Sequence, residues 1–257
     1  MAVRTLETVT TCGARRVRRA GSRLLESATD STEVLGTYVA VANSVCPWRY
    51  TDADPFKLLT VDPDAIEYMT TDITAPMGYG RVVAGDWDRK REPIEENTVY
   101  RSFRQRFHDG DPWEETPLYE RHESKVETGT PVKGYRSMAE LRSWYREMDR
   151  LYHTVVENGF RSQRELLEIE PEETRRRCND AATPERNEIG VNVSRDGELI
   201  WRHRGKHRLF VAKLASVDAV SVHVLTRHRR WQRYRDAVAE RPDLGTDHPD
   251  LEDLVSK

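Results

Sequence analysis

The chain has 257 residues, of which 37% are hydrophobic and 33% charged, the charged share standing above the roughly 25% of an average globular protein. That length suits one large domain with additions. Cys12, Cys46 and Cys178 are scattered without a CxxC pair, which argues against a disulfide framework, and no apolar run is long enough to span a bilayer. The 41 basic and 44 acidic residues nearly cancel to a net charge of −3, so the total selects no partner and the distribution along the chain must do so.

Residues 1–45 read as a basic, poorly defined extension, with Arg15, Arg16, Arg18, Arg19 and Arg23 ahead of Leu24 and Leu25. Without an apolar core and a processing site it gives no secretory signal, and the expectation is a cytoplasmic protein. Residues 57–61, KLLTV, predict a strand that Pro63 ends, with Asp62 or Asp64 capping a short helix. Gly78, Gly80 and Gly85 break the next stretch into loops around a short RVVA strand. Thr116-Pro117 is a cap followed by a first-turn proline, so residues 98–125 predict two short helices joined by a loop at 109–113. The clearest helix starts at Ser137, which has capping-box spacing to Glu140. Leu141, Trp144, Tyr145, Met148, Leu151, Tyr152, Val155 and Val156 then recur at helical intervals up to Gly159, a stripe read as core packing. Ser162 and Glu165 repeat the cap spacing for a shorter helix. Residues 170–187 hold almost no large apolar groups and read as a linker or excursion, and residues 236–257 as an acidic tail with little core material.

The functional signal lies in residues 189–235. Ile189, Val191 and Val193 alternate as in a half-buried strand, Asp196-Gly197 supplies a hairpin turn, and Leu199-Ile200-Trp201 begins the return. A turn at Gly205 leads into a helix with Leu209, Phe210, Ala212 and Leu214, followed by an alternating strand at 219–225. Glycine permits close approach of a ligand, and a helix start offers unpaired amides and a positive dipole end to phosphate. Lys206, His207 and Arg208 occupy the first turn. Residues 201–235 hold ten Lys and Arg against Asp218 alone, a local +9 that attracts anions whatever the total charge.

GKHRLFVAK resembles the glycine–His/Arg–helix signature of the ParB/sulfiredoxin superfamily, on Gly205, His207, Arg208 and Ala212. The resemblance implies an α+β fold, a small mixed sheet with packed helices, over 46–235 with a helical insertion near 98–136. It also implies a nucleoside triphosphate whose phosphates Gly205 admits and His207 and Arg208 contact. Lys206 stands where a sulfiredoxin has its reactive cysteine, so the likeness does not extend to sulfinic-acid repair, and Arg204 stands where many members have an acidic residue, which makes the loop unusually positive. No DNA-reading helix-turn-helix is evident after Arg235.

Chemistry at bound phosphates asks for a metal and a group that orients the nucleophile. Asp86 and Asp88 in GDWD are candidates for Mg²⁺ or a hydroxyl, or for turn capping and pairing with Arg89 and Lys90. Glu157, at the end of the long helix, is either a further acid or solvated surface. Arg227 and His228 are placed to cover the phosphate from the opposite side, and Trp231 to stack a base or fill the core. HExxH, Walker and nucleophile-elbow patterns are absent, and His203, His207, His223 and His228 make no zinc set by spacing. The leading expectation is a protein that binds a phosphorylated small molecule or nucleotide and transfers or hydrolyses a phosphoryl group. The alternative is a non-enzymatic DNA- or RNA-binding module built on the +9 stretch. A third reading lets the acidic tail pair with that stretch and mask it.

Overall fold

The computed structural model describes residues 32–172, 174 and 183–255. The arginine cluster at 15–23, Cys12, Cys178 and much of the expected linker lie outside them. The described chain is a mixed α+β fold, with helices packed on one seven-stranded sheet. Its strands are β1 (Leu58–Val61), β2 (Tyr68–Met69), β3 (Arg81–Val83), β4 (Glu92–Pro93), β5 (Ile189–Val193), β6 (Leu199–His203) and β7 (Val220–His228). The order is β1-β7-β5-β6-β2-β4, with β3 also paired to β7.

The alternating segment at 189–193 becomes the centre of the sheet. All five residues of β5 are buried, and the strand runs antiparallel to β6 and parallel to β7. The opposite edge of β7 is shared: residues 220–223 pair antiparallel with β1, and 226–228 parallel with β3. The Asp-Gly hairpin turn forms as expected, with Gly197 at φ 95°.

Among the described residues eight α-helices carry the labels α1 (Thr32–Val45), α2 (Thr98–Arg104), α3 (Pro117–Glu127), α4 (Met138–Asn158), α5 (Gln163–Ile169), α6 (Lys206–Leu214), α7 (Arg229–Glu240) and α8 (Glu252–Val255). The starts of α3, α4 and α5 follow the sequence signals. Ser137 Oγ accepts from the Glu140 amide at 3.2 Å, Thr116 caps α3 ahead of Pro117, and Ser162 and Glu165 complete a capping box. α4 buries Leu141, Trp144, Tyr145, Met148 and Val155, while Val156 faces solvent. α6 is sunk deepest: Leu209, Phe210, Val211 and Ala212 have no exposed surface, and Phe210 meets Tyr100 of α2 edge-on at 5.3 Å. The stretch between α2 and α3 is a π turn at Gln105–Asp109, ended by left-handed Gly110, and a single 3-10 turn at Trp113–Glu115.

The structure departs from the sequence reading in several places: α1 makes Thr32–Val45 a helix within the stretch read as a poorly defined extension, and β5 is fully rather than half buried. The run after β7, which carried no predicted element, is α7, which buries Trp231, Gln232, Arg235 and Val238. Trp231 is core, its indole N–H donating to Asp250 at 2.8 Å. The acidic tail does enter the core, because the buried guanidinium groups of Arg227 and Arg235 require anions: Asp250 is 1% exposed beside them and Leu251 is fully buried. Among the described residues no helix is long and apolar enough to cross a membrane.

Candidate anion-binding site

The site is built on the turn from β6 into α6. Gly205 lies in the left-handed region at φ 60°, and a Cβ there would sit 2.7 Å from Ile189 Cγ1 and 2.8 Å from its Cα. Only glycine lets the chain reverse this tightly against β5. α6 then starts without a side-chain cap, leaving its first amides to other acceptors.

In front of this start is a cavity of about 260 Å³. α3 supplies Arg121, His122 and Lys125, the turn after it Lys133, α4 Trp144, and α6 Lys206 and His207. Four cations and two imidazoles therefore share one cavity whose lining holds no carboxylate. Among the described residues none of the four cations has a carboxylate partner, although Lys213, later on α6, pairs with Asp64 at 3.1 Å.

The crowding shows in the titration of the group. Burial, then Arg121, pushes the Lys206 amine down from its usual range, and burial, then Lys206, does the same to Lys133. Lys133 holds a left-handed backbone, φ 51°, and lies over the Trp144 ring at 4.6 Å while much of its surface stays exposed. His207 is held at about 3 by burial and then by Lys133, Lys206 and His122. Its ring stacks on Phe103 at 5.8 Å and meets Trp144 edge-on at 5.5 Å. Burial, then Lys133, Lys125 and Arg121, brings His122 to about 4, and its Nδ1 shares a 2.8 Å hydrogen bond with the Tyr145 hydroxyl. Both imidazoles are neutral at pH 7, so the cavity's positive charge comes from its Lys and Arg groups.

Of the nine residues nominated from sequence, this cavity gathers Lys206 and His207, with Gly205 as its hinge. Arg208 is directed elsewhere: it pairs with buried Glu188 at 3.0 Å, donates to the Arg161 carbonyl at 2.6 Å and lies over Phe160. Glu188 also accepts from the Gln163 amide, so it fills the start of α5 as an internal anion. Asp86 and Asp88 lie at the other end of the hairpin. Gly190 pairs with His203 near the α6 start, whereas Val193 pairs with Leu199 beside the turn that carries Arg195. Arg195 binds Asp88 through Nε at 2.7 Å and Asp86 through Nη2 at 2.8 Å. Burial alone would raise Asp88, but the Arg195 guanidinium and amide hold it at about 2. Glu157 is exposed, 13 residues along α4 from Trp144 and hence about 20 Å away. Arg227 is paired with Asp250, and His228 caps α7 by accepting from the Arg230 amide at 3.0 Å. Within the +9 stretch Arg208, Lys213, Arg227, Arg230 and Arg235 have carboxylate partners, and Lys206 faces the cavity.

Sequence reasoning missed Arg121, His122, Lys125 and Lys133. The available signal was the spacing of Leu118, His122 and Lys125, which shares one face of α3 and continues its buried stripe into a histidine. Among the described residues no group of three or more His, Cys, Asp or Glu is arranged to hold a metal ion. The cationic lining does not fit a protein-held Mg²⁺. Comparison with protein-family models, curated proteins and solved structures gives no match to this chain.

Proposed function

We propose that the chain binds a phosphorylated small molecule, or the phosphate end of a nucleotide, in the cavity at the start of α6. The observation that carries this reading is the set Arg121, Lys125, Lys133 and Lys206 around one helix start with no lining carboxylate. Self-repelling, partly desolvated cations cost folding free energy unless an anion joins them. A helix start with three lysines and an arginine is suited to a multiply charged oxyanion. At about 260 Å³ the cavity is just below the roughly 300–1,000 Å³ of sites for larger ligands, which favours a phosphate or diphosphate group on a small body. The strand–turn–strand–glycine loop–helix–strand order supports a ParB/sulfiredoxin-like arrangement around the site. Phosphoryl transfer has less support than binding, since Asp86, Asp88 and Glu157 stand away from the cavity.

Calorimetric titration with inorganic pyrophosphate tests the reading. Lys133→Met and Lys206→Met should each weaken binding about tenfold or more, the loss of one charge-assisted contact. Wild-type affinity in both variants would refute it. Salt-sensitive binding of generic duplex DNA, equally strong in the two variants, would instead favour a nucleic-acid surface elsewhere.

A further inference from the structure

The described lysines divide into two sets. Lys57, Lys90 and Lys213 each have a carboxylate partner, at 3.5, 3.5 and 3.1 Å. Lys125, Lys133 and Lys206 face the cavity and have none among the described residues. Within the second set Lys125 and Lys133 keep exposed surfaces, and Lys133 also has the Trp144 ring beneath it. Lys206 differs from both. It is half-buried at the first position of α6, where the positive end of the helix lies under it, and Arg121 and Lys133 share its cavity. Among the described residues no carboxylate lines its cavity to favour the ammonium form, and an amine next to other cations in a desolvated pocket is the arrangement that makes lysine a nucleophile.

Resting on the anion-binding reading above, we propose that Lys206 is the nucleophilic amine of this cavity and forms an imine with a phosphorylated aldehyde or ketone whose phosphate lies at the start of α6. The amine lone pair forms the N–C bond as the carbonyl π pair moves to oxygen. One N–H proton passes to that oxygen to give a carbinolamine. The second N–H proton and the hydroxyl leave as water, and the nitrogen lone pair closes the C=N bond. No oxidant or reductant takes part. Bound phosphate does not undo the activation, because Arg121, Lys125 and Lys133 contribute +3 against −2 and leave the surroundings of the amine at +1.

Pyridoxal 5′-phosphate carries both groups and serves as the probe. The full chain is incubated with it at neutral pH, reduced with borohydride and mapped by peptide mass spectrometry, with pyrophosphate binding measured separately by calorimetry. Lys206 should be labelled at least about tenfold faster than Lys57 or Lys90. Inorganic pyrophosphate should suppress that label, and pyridoxal lacking the phosphate should give no preference. If pyrophosphate binds but the label spreads evenly or falls on Lys125 or Lys133, the imine proposal is overturned while the anion site stands. If pyrophosphate does not bind, the anion reading itself fails and takes the imine with it.

Discussion

At the scale of the single residue, the cavity sets binding against stability. Lys206 is held among cations with its ammonium disfavoured, so replacing it with methionine keeps the aliphatic stem and removes the repulsion. Lys206→Met should therefore raise the stability of the ligand-free protein by about 0.5–2 kcal/mol, the usual gain from relieving unfavourable surface charge, while weakening pyrophosphate binding. Chemical denaturation and calorimetry on the same sample check the two signs, and a destabilised variant would remove the argument for an electrostatically loaded site. The histidines give a pH signature. His207 at about 3 and His122 at about 4 lie below the ordinary value of about 6.5, so between those limits the unfolded chain binds more protons than the native one. Their contribution to stability is complete above about pH 6.5 and is lost as the pH falls toward 3–4. His207→Phe keeps the stack on Phe103 without the titration, and its melting temperature should fall less steeply over that range. Parallel pH profiles for the two proteins would show that His207 is not the group responsible.

At the scale of the element, the mouth of the site depends on one backbone contact. Gly205→Ala places a Cβ within 2.8 Å of the Ile189 Cα in a left-handed conformation, so either β5 or α6 must move. The expected cost is about 2–4 kcal/mol, in the range of severe backbone and packing defects. Urea unfolding measures it, and a change below about 0.5 kcal/mol, typical of neutral surface sites, would mean that the turn tolerates a side chain. This element was legible in the sequence because glycine, hairpin turn and alternating strands are local signals, as were Ser137 and the periodic stripe of α4. α7 was not legible: its buried positions include Gln232 and Arg235, which are polar, and their burial rests on Asp52, Asp250 and Asp253 from distant parts of the chain. The cavity was half-legible for the same reason. Lys206 and His207 stand next to the glycine in sequence, whereas Arg121, Lys125 and Lys133 resemble ordinary charged surface until α3 packs near the start of α6.

At the scale of the whole molecule, the C-terminal segment locks α7 and β7 rather than covering the cavity. Arg235 has no exposed surface and is shared between Asp52, Asp250 and Asp253, and Arg227 pairs with Asp250. Burial works against Asp52, yet Arg235 and Gln232 hold it at about 2. Among the described residues Asp250 is thus the one anion common to both buried guanidinium groups, and it also accepts from the Trp231 indole. Asp250→Asn would leave two buried cations under-compensated, a defect worth about 3–5 kcal/mol. The double variant Arg227→Met/Asp250→Leu removes one cation together with the anion, and it should recover part of that loss, because an apolar pair of similar volume often matches a buried ion pair. The network lies by the end of β5 opposite Gly205, about 13 Å along the strand. Pyrophosphate affinity per folded molecule should therefore match wild type in Asp250→Asn, even though the melting temperature falls. Tighter binding in that variant would mean that the tail competes with ligand for the cationic cavity, and the separation of lock and site would have to be abandoned.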